Sequence, residues 1–155
     1  MILIDKLLVI RRIILKYLKL SFLVITLIIL TGCAATGNPF TSAPEAKEDK
    51  AIVVFYRPKQ HQGSAVSIQL QDNDKDIGLL QNGQFIIYET EPGKHEFRTN
   101  TAAIDKAVTL EVEGGKTYYF ATSIRVGFWV GSWVLTRVFD DQAIEELKVC
   151  CKDGK

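Results

Sequence analysis

The chain has 155 residues, of which 47% are hydrophobic and 24% charged, with a formal net charge of +1. That leaves room for one ordinary domain and an end piece. The charge is split: residues 1–32 hold five basic residues and one acid, leaving 14 basic and 17 acidic residues from Cys33 onward. So weakly acidic a body excludes an electrostatic nucleic-acid binder, which needs a clustered positive surface.

Residues 1–19 mix aliphatic side chains with Lys6, Arg11, Arg12, Lys16 and Lys19, and an uncharged run of 11 residues follows from Leu20 to Leu30. A helix needs about 20 apolar residues to span a bilayer. A basic start, a short apolar core and then small residues form the pattern of a secretory signal rather than of a retained anchor.

The run ends in Leu30-Thr31-Gly32-Cys33, which resembles the lipobox of bacterial lipoproteins. The resemblance implies signal cleavage between Gly32 and Cys33, a diacylglyceryl group on the Cys33 sulfur, and an acyl chain such as palmitate on the new amine. The residue types suit that chemistry: cysteine supplies a nucleophilic thiolate, and Gly32 and Thr31 are small enough for an extended backbone to enter a protease cleft. Two or three acyl chains anchor stably where one is marginal. Ala34, in the place where Asp retains many enterobacterial lipoproteins at the inner membrane, implies transport to the outer membrane, with the protein on its periplasmic side.

Residues 34–50, AATGNPFTSAPEAKEDK, are small and polar, with no hydrophobic period. They read as a flexible tether of about 20–25 Å as a coil. The expected division is a signal at 1–32, a lipidated Cys and tether at 33–50, and a β-rich domain at 51–155.

Short β-type runs follow, separated by turn residues. AIVVFYR (51–57) is continuously apolar, as a strand covered on both faces must be. AVSIQLQ (65–71) alternates, with Val66, Ile68 and Leu70 on one side. FIIYET (85–90) follows an Asn82-Gly83 turn, and KHEFRT (94–99) follows Pro92-Gly93. In AVTLEVE (107–113), Val108, Leu110 and Val112 face inward, and Gly114-Gly115 suggests a two-residue hairpin into KTYYFATSIR (116–125). A last apolar run covers 126–139. Asp140 or Asp141 then caps a short helix, with Ala143, Ile144 and Leu147 on its inner face. The fold class is mainly β: a seven- to eight-stranded antiparallel sandwich with a short C-terminal helix.

VVFYRP (53–58), NGQFIIYETEPGKHEF (82–97) and GKTYYF (115–120) resemble the bacterial lipoproteins grouped as the domain-of-unknown-function 2846 family, over most of residues 50–149. The Pro-Gly-x-His segment is also similar to small periplasmic modules of the PEGA type, themselves immunoglobulin-like sandwiches. Neither resemblance implies an activity, a cofactor or catalytic residues.

Candidate chemistry is sparse. Asp72, Asp74 and Asp76 in DNDKDIG carry the 1, 3, 5 spacing of a calcium loop, but Ile77 stands where glycine should and Gly83 where a bidentate glutamate should. The stretch reads as a solvated acidic turn, and no metal site is expected. His95 is expected to pack toward the sheet interior or to cap a turn. His61 lies three residues before Ser64, without an orienting third group or a nucleophile-elbow motif. Cys150 and Cys151 read as terminal thiols, as a disulfide between neighbours, or as a link to another chain. VGFWVGSWVLTRVF (126–139) offers Trp129 and Trp133 either as core or as an aromatic face for a partner.

The expectation is therefore an outer-membrane lipoprotein, held in the membrane through acyl chains on Cys33, acting as a non-catalytic binding or structural accessory. No cofactor is expected. Its partner would be an envelope protein or cell-wall glycan. The alternative is an envelope hydrolase using His61 with Ser64, or a redox accessory using Cys150 with Cys151.

Overall fold

The computed structural model describes residues 11, 14–19, 21, 37–100, 107–125 and 132–154. The chain divides into two compact units, Met1–Ala34 and Ala35–Lys155. Residues 14–19 of the first are helical. Among the described residues, no helix is long and apolar enough to cross a membrane. Gly32 and Cys33, where cleavage and lipidation are expected, and Trp129 lie outside the described residues.

The second unit is a β-sandwich with a helix on its outer face. Its strands are β1 (Ala51–Arg57), β2 (Ile68–Asp72), β3 (Lys75–Leu80), β4 (Gln84–Thr90), β5 (Gly93–Thr99), β6 (Val108–Val112), β7 (Thr117–Arg125), β8 (Ser132–Val138) and a two-residue β9 (Lys152–Asp153). One sheet runs β8-β7-β1-β4-β9 and the other β3-β2-β5-β6. Most neighbours are antiparallel, but β1 runs parallel to β7 and β4 runs parallel to β9.

The unbroken apolar run of β1 is explained by its place at the centre of the five-stranded sheet. Ala51, Val53 and Phe55 enter the core between the sheets, with Leu70, Phe97 and Phe120. Ile52, Val54 and Tyr56 point the other way, into a second core with Phe85, Tyr119, Ala143 and Leu147. The helix Asp140–Cys150 covers that second face, with Ala143 and Leu147 buried and Ile144 packed beside them. Its first turn carries Asp140 and Asp141, which suits the helix dipole. The capping residue, however, is Phe139, without a side-chain cap bond, rather than either aspartate.

Two further local expectations are corrected, and the acidic turn is made more specific. Gly114-Gly115 closes no hairpin: it carries the chain from β6 in one sheet to β7 in the other. DNDKDIG is a hairpin between β2 and β3, whose Asn73 and Asp74 have φ of 45° and 69°, the left-handed pair that a tight two-residue turn demands. Finally, residues 37–50 do not behave as a free tether. Phe40 is buried edge-on against Phe85 with ring centroids 5.2 Å apart, and Ala43 and Ala46 pack on the same core. Pro39 bridges to Lys152, the Asp153 N–H donates to the Asn38 carbonyl at 2.8 Å, and the Phe40 N–H donates to the Cys151 carbonyl at 3.3 Å. The folded unit thus reaches back at least to Gly37, because Phe40 has an apolar slot to fill.

Candidate functional site

At the end of β1, Arg57 is fully buried. Its Nη1 and Nη2 donate to the carbonyls of Val66 (2.5 Å) and Gly63 (2.6 Å), which fixes the loop 58–67 from beneath. The guanidinium lies 4.1 Å from the centroid of the Trp133 ring, a cation–π contact strengthened by desolvation. No carboxylate pairs with Arg57 among the described residues, and burial pulls its pKa down. A Cβ at Gly63, whose φ is +69°, would meet Trp133 Cζ2 at 2.8 Å and Ile124 Cδ1 at 2.9 Å.

Trp133 lies inside the domain rather than on an exposed aromatic face. It is 8% exposed and belongs to the core between the sheets. The C-terminal helix does not cover it either, since Ala143 and Leu147 pack on the opposite face of the sheet.

His61 and Ser64 sit in the loop that Arg57 supports. Ser64 N–H donates to the His61 carbonyl at 3.2 Å, which makes a turn, and both residues are exposed. Among the described residues no carboxylate orients the His61 ring.

A polar cluster that the sequence did not reveal lies between the sheets. His95 Nδ1 is 2.7 Å and 2.9 Å from the two carboxylate oxygens of Asp72, and Nε2 is 2.9 Å from the Glu91 carbonyl oxygen. The Tyr88 hydroxyl donates to Asp72 Oδ2 at 3.0 Å, so β2 and β5 of one sheet are tied to β4 of the other. Both ring nitrogens of His95 face acceptors. His95 also stacks on Phe97, with ring centroids 5.6 Å apart and planes 7° apart. Asp72 and His95 are both buried, and their bonds tie the two sheets together. Asp72 is thus no part of a solvated turn. Asp74 pairs with Arg98, and Asp76 accepts from Gln71 Nε2 at 2.8 Å. The three aspartates go to separate partners, and no cluster able to hold a metal occurs among the described residues.

At the end of the C-terminal helix, Cys150 and Cys151 are joined by a disulfide. Cys151 is buried, and its N–H closes the helix on the Leu147 carbonyl at 3.1 Å. Cys150 borders an open groove of about 570 Å³ lined by Pro58, Glu145, Glu146 and Val149. The Tyr56 hydroxyl donates to Glu146 Oε2 at 2.7 Å, linking β1 to the helix. Burial, reinforced by that carboxylate, pushes the Tyr56 hydroxyl well above the usual phenol range.

A family model described as a protein of unknown function, DUF2846, matches residues 47–133. No curated protein and no solved structure matches the chain.

Proposed function

Because the chain belongs to the DUF2846 family of proteins of unknown function, its role must be argued from its own residues, and we propose that it is a lipoprotein of the outer membrane. In this reading the acyl chains sit on Cys33 and the sandwich faces the periplasm. It works there as a non-catalytic binding or structural accessory, with an envelope protein or cell-wall glycan as partner.

The observation that carries the reading is Leu30-Thr31-Gly32-Cys33 at the end of the uncharged run from Leu20. A thiol directly after small residues, at the end of a secretory core, is what lipid transfer and cleavage require. The organisation of the second unit suits an accessory: its acid-base groups Asp72 and His95 are buried and spent on tying the sheets together.

The test is Cys33→Ser. Wild-type protein should incorporate labelled palmitate and mature at Cys33, and the variant should do neither. Unchanged labelling and processing in the variant would defeat the proposal. Sorting is tested separately: Ala34→Asp should move the protein toward the inner membrane in an enterobacterial host.

One observation favours a second reading, as a redox accessory: the disulfide of Cys150 and Cys151 at the rim of an open groove. In that case the free Cys150 thiolate of a Cys151→Ser variant should attack the disulfide of an oxidised exported partner, forming a mixed disulfide as the partner's second sulfur leaves as a thiolate. With no Cys151 to resolve it that species should stay trapped, and no trapped species would dismiss the reading.

A further inference from the structure

The docked segment 37–40 fixes how far the folded unit can stand from any anchor at Cys33. Asn38 and Phe40 are bound to Asp153 and Cys151, so whatever joins Cys33 to the folded unit has only the steps to Asn38 in which to do it. Five Cα–Cα steps reach at most about 18 Å, whatever their conformation. A folded unit of this size has a radius of gyration of about 14 Å, hence a width of roughly twice the reach. The unit cannot turn this corner away from a surface to which Cys33 is bound.

Resting on the lipoprotein reading, we propose that the corner formed by the segment 37–40, β9, the end of the C-terminal helix and Pro58 lies against the lipid surface. The four-stranded sheet then points away from it. The composition of the corner fits a headgroup layer. Val149 is 90% exposed, two residues from the Cys151 that holds Phe40, and it lines the groove with Pro58 and Cys150. Lys59, Lys148 and Lys152, each within three residues of Pro58 or Val149 in the chain, are exposed. The Lys59 stem and the Cys150 carbonyl both border Gly83, at 3.6 Å and 3.5 Å from where its Cβ would be. Exposed apolar side chains with lysines nearby can meet acyl carbons and phosphates together. Glu145 and Glu146 in the groove lining weaken any attraction to anionic lipid, so the short reach, rather than charge, holds the corner in place.

The experiment uses the full-length acylated protein in vesicles of phosphatidylethanolamine and phosphatidylglycerol carrying a radiolabelled phospholipid. Val149→p-benzoylphenylalanine and, on exposed β6 of the far sheet, Thr109→p-benzoylphenylalanine are irradiated and the lipid adducts counted. Mass analysis of the Cys33 peptide first establishes acylation. The adduct at position 149 should exceed that at 109 at least fivefold. Inserting twelve Gly/Ser residues after Ala35 should bring the two within twofold. Acylated protein with equal yields at both positions overturns the orientation while leaving the anchor intact. So does an adduct at 149 that the insertion does not change, or one formed with a protein instead of lipid. An unacylated Cys33 overturns the anchor and the orientation with it.

Discussion

Tyr88 and Asp72 stand on opposite sheets and are joined by a hydrogen bond of 3.0 Å, while the same carboxylate holds His95 at 2.7 Å. Removing one member of such a buried hydrogen-bonded pair leaves the other unsatisfied. His95→Leu should therefore cost about 1–3 kcal/mol in chemical denaturation. The double variant Asp72→Leu/His95→Leu should recover part of that loss, because the buried carboxyl is then no longer orphaned. A double variant that is less stable than His95→Leu alone would contradict this account.

The bond from Tyr56 to Glu146 ties the central strand to the helix. Tyr56→Phe should lower stability at neutral pH by about 1–2 kcal/mol. The alkaline side adds a sign. The folded-state pKa is raised above the ordinary value of 10.0, so this contribution is complete below about pH 10 and is lost as pH rises beyond it. Wild-type stability measured by urea titration should fall above pH 10 more steeply than that of Tyr56→Phe. Equal slopes would show that Tyr56 ionises no less readily in the fold than in the unfolded chain.

Much of this architecture can be read in the sequence, and the exceptions have local causes. The unbroken apolar run of β1 announces two covered faces, and the spacing of Ala143, Ile144 and Leu147 announces the helix face. β3 escapes notice because KDIGLL has no clean alternation: a register shift at Leu70/Gln71 disturbs the pairing, leaving Leu79 exposed beside buried Leu80. Val66 looks like a strand residue, but its N–H and carbonyl are taken by Gly63 and Arg57, which hold it in a loop. Asp72 looks solvated because its partner His95 is 23 positions away. In the segment 34–50, Phe40 is the one large apolar side chain, and it was the available sign that this segment docks.

Phe40 provides a direct check on that docking. A chain beginning at Gly37 should fold and melt higher than one beginning at Lys50, and Phe40→Ala should cost about 3–5 kcal/mol. Differential scanning calorimetry of the three proteins decides it. Identical melting would mean that the segment contributes nothing to the fold.

Trp133 and Gly63 yield a paired expectation. Trp133→Ala should cost about 3–5 kcal/mol through the cavity it leaves. Gly63→Ala should destabilise by a different route, with a methyl group forced into the Trp133 ring at a backbone angle that favours glycine. Adding Gly63→Ala to Trp133→Ala should cost less than it does in wild type, because the obstructing ring is gone. Additive losses in denaturant titrations would count against direct contact.

The parallel neighbour of β1 has a kinetic consequence. Ile52 pairs with Thr117, 65 positions further along the chain, so the most apolar strand cannot gain its second neighbour until most of the domain has been made. Until then one edge of β1 is an open row of backbone donors and acceptors beside a hydrophobic face, which invites pairing with another chain. Long-range pairings of this kind slow folding. Refolding of the isolated domain should accordingly be slow for its size and lose yield as protein concentration rises, and a temporary escort that covers AIVVFYR should restore it.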